Sequence, residues 1–119
     1  MANEEHLAIL RQGVDVWNRW MLDHLRDIPN FKRASLKELE LESAYLRGAN
    51  FQKANLAGAH LTSADLASAH LEGVNLRDAD LQSANLAGAY LTAARLEGAD
   101  LFNEVARVGN ATEPDGLFS

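Results

Sequence analysis

Apolar residues recur at every fifth position across the middle of the chain. From residue 29 to residue 103 the sequence divides into fifteen consecutive five-residue units without insertion or deletion. The third residue of each unit is Leu, or Phe at Phe31 and Phe51, and the first residue is Ala in twelve of the fifteen units. A pattern this regular predicts a repeat architecture in which each unit contributes one structural element.

A period of five matches neither the 3.6-residue repeat of an α-helix nor the two-residue repeat of a simple strand. Within one unit the two apolar positions lie two residues apart, as on one face of a short strand. The remaining residues must then turn a corner before the next apolar pair points inward. Gly is the last residue of five units, where it suits a corner with positive φ, such as a type II turn. These features predict a solenoid whose core is formed by the central residues of the units: Phe31, Leu36, Leu41, Leu46, Phe51, Leu56, Leu61, Leu66, Leu71, Leu76, Leu81, Leu86, Leu91, Leu96 and Leu101.

The repeated units also carry a family resemblance. The segments 49–51, 54–58 and 64–66 read Ala-Asn-Phe, Ala-Asn-Leu-Ala-Gly and Ala-Asp-Leu, and they resemble the Ala-(Asp/Asn)-Leu-X-X units of the pentapeptide-repeat family. The resemblance covers 75 of the 119 residues. It implies a right-handed quadrilateral β-helix with four units per coil, and therefore just under four coils for this chain. The fold class expected is an all-β solenoid capped by an N-terminal α-helix.

Residues 3–27 precede the repeats and are predicted to form one amphipathic helix. Asn3 is a suitable N-cap, and Pro29 is expected to end the helix at or before Ile28. An uncovered solenoid end exposes apolar side chains and unpaired backbone groups, so this helix is predicted to cover the first coil. The chain is thus divided into a capping helix at 1–28, a β-helix at 29–103, and a tail or short cap at 104–119. The predicted buried stripe of the helix consists of Leu7, Leu10, Val14, Trp17, Met21 and Leu25.

A second apolar line, formed by Ile9, Val16 and Trp20, lies about 140° around the helix from the first. One interpretation is that this line packs under the connection to the first coil. The other is an interaction surface centred on an exposed Trp20, for an unidentified protein or for a second copy of the chain in a homodimer. The leader from His6 to Trp20 also resembles that of cyanobacterial pentapeptide-repeat proteins. His6 and His24 are expected to face solvent.

Composition excludes several classes of function. The net charge is −6, and the chain contains no cysteine, which excludes disulfides and thiolate metal sites. No stretch is long and apolar enough to span a membrane, and no signal peptide is recognised, so a cytoplasmic protein without a membrane partner is expected. No nucleophile–base pair, phosphate-binding glycine loop or carboxylate cleft is found in the sequence. A non-enzymatic protein without a cofactor is therefore predicted.

Two alternative functions depend on surface charge. Some members of the family resemble duplex DNA and bind gyrase, but the repeats in this chain carry nine acidic and seven basic residues, a net charge of only −2. The same balance argues against direct nucleic-acid binding, which needs a basic surface. In a four-sided coil Glu40, His60 and Asp80 form a column that could hold a divalent cation, although an ordinary surface ladder is the favoured interpretation. The leading hypothesis is a β-solenoid that binds another protein.

Overall fold

The computed structural model describes residues 1–101 and begins with two short helices. Helix α1 spans Glu4–Leu10 and helix α2 spans Val14–Leu22. Asn3 is the N-cap of α1, and its side-chain oxygen accepts a hydrogen bond of 3.1 Å from the backbone amide of His6. The prediction of one continuous helix over residues 3–27 is wrong, because the helix breaks after Leu10 and α2 ends well before Pro29.

The break between the helices centres on Gly13. This residue has φ 115° and ψ 161°, a conformation that is essentially restricted to glycine. Immediately before it, the amides of Gln12 and Gly13 donate to the carbonyl oxygens of Ile9 and Leu10, each at 3.1 Å, and thereby close the last turn of α1. The hydrophobic stripe predicts burial correctly for most of its members, but it carries no signal of this change in backbone direction.

From Asn30 onward the chain forms a solenoid whose sides are held by single-residue parallel bridges. Each bridge joins residues twenty apart, as between Asn30 and Asn50 or between Asp80 and Asp100, and eleven such bridges lie within the described residues. Twenty residues equal four repeat units, so each coil has four sides. Each side is one paired residue flanked by turns rather than an extended strand, and neighbouring coils are separated by about 4.8 Å.

The corners between the sides share one turn geometry. The amide of the first residue of each unit donates to the carbonyl of the preceding central residue, as from Ala34 to Phe31 at 3.0 Å. The last residue of each unit, from residue 33 to residue 98, has positive φ. Five of these residues are glycines with φ of 68–75°, and the other nine are not glycine and have φ of 59–62°. The type II turn predicted from the glycines is therefore the common corner, including those corners that have no glycine.

In the units from residue 29 to residue 88 whose second residue is Asn or Asp, that residue has a local role that sequence reasoning did not assign. Its side-chain oxygen accepts a hydrogen bond from the backbone amide two residues later, and this bond stabilises the start of the corner. Asn55 binds the amide of Ala57 at 3.0 Å in this way, and Asp65 binds the amide of Ala67 at 3.1 Å. This bond explains physically why these two residue types recur at the second position of the unit.

The core lies inside the coil, as predicted from the central residues. Every central side chain from Phe31 to Leu91 is buried, and the alanines between them allow the walls to approach each other. Leu96 and Leu101 are only partly buried. Residues 102 and 103 of the predicted repeat, and the predicted tail at 104–119, lie outside the described residues. The count of just under four coils therefore stays a prediction.

Candidate interaction surface on the helical cap

We call residues 3–28 the helical cap. The inner face of the cap continues the solenoid core. Leu7, Leu10, Trp17 and Met21 are buried against the first coil. The ring centroid of Trp17 lies 5.4 Å from that of Phe31, which in turn stacks on Phe51 of the next coil at 5.2 Å. The apolar core thus runs without interruption from the helices into the repeats.

Side chains of α2 also satisfy backbone groups at the open edge of the first coil. The indole Nε1 of Trp17 donates to the carbonyl oxygen of Tyr45 at 2.8 Å. The side-chain amide of Asn18 donates to the carbonyl of Ser43 at 3.0 Å and accepts from the amide of Tyr45 at 2.8 Å. One coil later, the equivalent amide of Asp65 is bound by a backbone carbonyl instead. The cap therefore replaces the hydrogen bonds of a missing lower coil, which removes a free sheet edge.

Trp20 is placed inside the cap rather than fully on its surface. Its ring lies 5.3 Å from the ring of Trp17 and stacks on His24 at 4.0 Å with an interplanar angle of 10°. Trp20 and Ile9 are both partly buried against the core, whereas Val16 is 41% exposed. The geometry thus supports the packing interpretation for two of the three residues of the second apolar line, and their role in recognition stays a prediction.

One of the two cap histidines, His6, differs from expectation. The sequence predicts a solvent-facing His6, but this residue is only 7% exposed, and its Nδ1 accepts a hydrogen bond of 3.0 Å from the backbone amide of Asn30. Burial lowers the pKa of His6, while the carboxylates of Glu5 and Asp27 partly oppose this shift. His24 is half-buried, and its Nδ1 lies 2.7 Å from the carbonyl oxygen of Trp20. A solvent-facing assignment is therefore wrong for His6.

A group of exposed apolar side chains lies where the cap meets the solenoid wall. Leu22, Leu25, Ile28 and Tyr45 are 59%, 73%, 69% and 44% exposed, and all four line one surface depression of about 480 Å³. We refer to these four residues as the cap patch. Three of them come from the end of α2 and the segment that follows it, and Tyr45 comes from the first coil. The patch exists only because the cap is docked against the coil.

Charged residues surround the cap patch. Arg26, Asp27, Arg47 and Asp65 line the same depression, and the Nε of Arg47 forms an ion pair with Asp65 at 3.0 Å. Since the Arg47 side chain is two-thirds exposed, this pair adds little to stability and instead makes the rim polar. An apolar centre inside a polar rim is the arrangement found in protein–protein interfaces.

Sequence reasoning missed the cap patch because it extended the helix too far. In one helix through residue 27, Leu25 belongs to the buried stripe with Trp17 and Met21. Because α2 ends at Leu22, that stripe does not continue and Leu25 points to solvent. The spacing of three between Leu22, Leu25 and Ile28 was the available signal, although nothing in it placed Tyr45 nearby.

Comparison with known proteins identifies the repeat. A model of the family described as pentapeptide repeats matches residues 30–62, 40–78 and 69–103, with eight copies of the repeat. These ranges cover more than half of the chain. The chain belongs to the pentapeptide-repeat family. Pentapeptide-repeat proteins fold as right-handed quadrilateral β-helices, in agreement with the bridges twenty residues apart.

Solved structures of other pentapeptide-repeat proteins are similar to this one. A protein from the thylakoid lumen of Arabidopsis thaliana is 41% identical over 59% of this chain and 48% of its own, with a TM-score of 0.58. HetL from the cyanobacterium Nostoc is 31% identical over 71% of this chain and 38% of its own, with a TM-score of 0.56. Rfr23 from the cyanobacterium Cyanothece is 33% identical over 74% of this chain and 58% of its own, with a TM-score of 0.51. The match therefore spans between 38% and 58% of the length of these relatives.

The comparisons leave the specific role of this family member open. No functionally curated protein matches the sequence. Pentapeptide-repeat proteins are generally non-enzymatic scaffolds, in keeping with the absence of a catalytic arrangement in the sequence. None of these findings supports the gyrase-binding alternative. None of the helices within residues 1–101 has the length and apolar character needed to cross a membrane, and the cytoplasmic location stays a prediction.

The acidic column on the wall of this pentapeptide-repeat protein has the predicted alignment. Bridges join Glu40 to His60 and His60 to Asp80. Alignment alone does not make a metal site, and within residues 1–101 no group of three His, Asp or Glu side chains is placed to hold a metal ion. One oxygen of Asp80 accepts a hydrogen bond from the backbone amide of Gln82 at 3.1 Å. The geometry thus gives no support to the metal alternative.

Proposed function

We propose that this chain is a non-enzymatic interaction module, in which a solenoid of just under four coils at 29–103 carries a docked helical cap that binds another protein. The observation that carries the proposal is the cap patch. Leu22, Leu25, Ile28 and Tyr45 are large, exposed and gathered around one depression. Scattered apolar residues are normal on a protein surface, whereas a group of this kind is typical of interaction sites.

The chemistry of the rim indicates the kind of partner. Arg26 and Arg47 lie at the rim together with Asp27 and Asp65, so both signs of charge are present around the apolar centre. Nucleic acid requires a surface with many unpaired cations, which this rim does not provide. The occupant that fits is a protein segment that presents two or three large apolar side chains with charged residues of both signs beside them.

One relative supports a regulatory role for the proposed interaction module. HetL is described as involved in the regulation of heterocyst differentiation. A protein can act in regulation by binding alone. The relation to HetL covers 38% of that chain, so the particular process that HetL regulates is not transferred to this protein.

The test compares two substitutions that place the same charge on different faces of the cap. Leu25→Glu changes the centre of the cap patch, and Val16→Glu changes an exposed apolar residue of the second line on α2. Both positions are solvent-accessible, so circular dichroism and thermal unfolding should be unchanged. Proteins captured from source cells by the wild type are identified by quantitative mass spectrometry, and the candidate is purified for titration calorimetry against all three forms.

The expected result is equal affinity of the partner for the wild type and Val16→Glu, and at least tenfold weaker binding to Leu25→Glu. Equal affinity for all three would overturn the cap patch as the binding surface. Weaker binding only with Val16→Glu would place recognition on the line of Ile9, Val16 and Trp20 instead. Analytical ultracentrifugation of the chain alone shows whether it forms a dimer. A dimer that Leu25→Glu converts to a monomer would mean that a second copy of the chain, and not a different protein, occupies the cap patch.

A further inference from the structure

His6 joins the helical cap to the first residue of the solenoid. The backbone amide of Asn30 donates to Nδ1 of His6 at 3.0 Å, and Asn30 is the first residue of the bridged solenoid wall. A peptide amide is always a donor, so Nδ1 must carry its lone pair toward it and the imidazole proton must be on Nε2. The docked cap therefore contains His6 in one neutral tautomer.

The surroundings of His6 are aromatic. Its ring centroid lies 6.3 Å from Trp17, 5.3 Å from Trp20 and 6.3 Å from Phe31, all in edge arrangements. Together these rings separate His6 from water on the sides formed by α2 and by the solenoid. A charge placed there loses hydration without gaining a matched partner.

The titratable groups that face His6 come from two parts of the cap. Glu5 on α1 and Asp27 in the connection to the solenoid favour the charged form, while His24 after α2 disfavours it, and burial has the largest effect. The adjoining faces of α2 and of the first coil present the rings and the amide of Asn30. Neither carboxylate lies within ion-pair distance of His6 in the described part of the chain.

We propose that His6 is a proton-sensitive latch, which holds the cap on the first coil when neutral and releases it when protonated. Protonation converts Nδ1 from an acceptor to a donor, and it then faces the donor amide of Asn30. The hydrogen bond at the junction is lost, and a positive charge is buried among three aromatic rings. Both effects act only on the docked state, so acid favours the undocked cap.

The direction of the pH effect follows from the same shift. The pKa of His6 in the docked cap is lowered from 6.5. Docking is therefore fully favourable above pH 6.5 and weakens as the pH falls from about 6.5 toward the lower pKa of the docked state, because the undocked cap binds more protons. If the proposed function holds, release would also disperse the cap patch, since three of its residues belong to the cap and Tyr45 belongs to the coil.

The cap contains its own reporters. Both tryptophans of the chain, Trp17 and Trp20, lie in the cap. The amide of Asn30 is bound by His6, and the amide of Tyr45 is bound by the side chain of Asn18, so each loses its partner when the cap undocks. The amide of Leu66 donates to the carbonyl oxygen of Asn85 inside the solenoid. This hydrogen bond does not involve the cap, so the Leu66 amide serves as the control.

The experiment measures tryptophan emission and amide exchange on the whole chain between pH 8 and pH 5. His24→Gln is the background, because the imidazole of His24 stacks on Trp20 and can change the emission of that ring without any undocking. The expected result is a red shift of emission with a midpoint below pH 6.5. Between pH 7.5 and pH 5.5, the protection factors of the Asn30 and Tyr45 amides should fall severalfold, with about tenfold as the upper limit for one histidine of undocked pKa 6.5, while that of Leu66 is retained.

The matched variant adds His6→Gln, whose side-chain oxygen can accept the Asn30 amide but cannot titrate. It should abolish the transition while the cap stays docked at pH 8. A transition that persists in His6→Gln would overturn the assignment to His6. If the Gln variant is undocked at pH 8, the parent protein still decides, because unchanged protection of Asn30 and Tyr45 down to pH 5 would refute the latch. No partner is used, so the outcome is independent of the proposed function.

Discussion

Two exposed alanines in the upper part of the solenoid allow a direct test of the corner geometry. Ala93 is the positive-φ residue of its corner, with φ 61°, whereas Ala87 lies one position earlier in its own corner and does not have positive φ. Both side chains are exposed. The same substitution, Ala→Gly, therefore removes the same methyl group at two positions. Glycine is favoured over alanine by the backbone conformation at residue 93, but not by that at residue 87.

The two changes are expected to shift stability in opposite directions. An L-residue in the left-handed region costs about 1–2 kcal/mol, and glycine avoids this cost. Glycine also increases the entropy of the unfolded chain, which costs about 0.5–1 kcal/mol. Ala93→Gly should therefore raise the free energy of unfolding by roughly 0.5–1 kcal/mol, while Ala87→Gly should lower it by a similar amount because only the entropic cost applies.

Denaturant unfolding followed by circular dichroism measures both effects. The two midpoints should lie on either side of the wild-type midpoint, with m-values unchanged. The thermal midpoints should move in the same directions, each by on the order of 3 °C. Equal destabilisation of both variants would refute this reasoning. It would mean that Ala93 is not strained at its positive φ, and that a corner without glycine is no less stable than a corner with glycine.

Two further predictions concern the core and the helical break. Leu66→Ala should lower the free energy of unfolding by about 2–5 kcal/mol, because it leaves a cavity in a fully buried layer. Leu96 is also the central residue of its unit but is only partly buried, so Leu96→Ala should lower the free energy of unfolding by only about 1–2 kcal/mol. Equal losses for the two variants in denaturant unfolding would contradict the link between burial and stability. Gly13→Ala should lower the free energy of unfolding by about 1–3 kcal/mol, because alanine is strained at the positive φ of this residue. The control is Gln12→Ala at an exposed neighbouring position, which should lower it by less than about 0.5 kcal/mol, and thermal unfolding measures both variants.

The repeat region could be predicted from sequence because its rules are local. The distance between the first and third residues of a unit fixes which side chains point inward, and this relation is repeated without interruption. The corner bond from the amide of Ala34 to the carbonyl of Phe31 and the bond from the amide of Ala57 to the side-chain oxygen of Asn55 each span three residues or fewer. A pattern that is set within one unit is fully visible in that unit, so the core residues followed directly.

The candidate site could not be predicted in the same way, because contacts between distant residues create it. Tyr45 joins the cap patch through the docking of α2, which depends on the bond from Trp17 twenty-eight residues earlier. His6 is buried because Asn30 and Phe31 pack against it from the solenoid. Without these contacts both residues sit on ordinary amphipathic or turn segments, with no sequence signal of their role.

By itself, the sequence determined the solenoid, its repeated corner and its core, since hydrophobic spacing and backbone preference act within each unit. Tertiary structure decided where the helix breaks, that His6 is buried, and that Leu25 is exposed beside Tyr45. These features depend on how an amphipathic segment docks on the open end of a coil. The free energy of that docking comes from burial and hydrogen bonds between the segments, and neither segment specifies it alone.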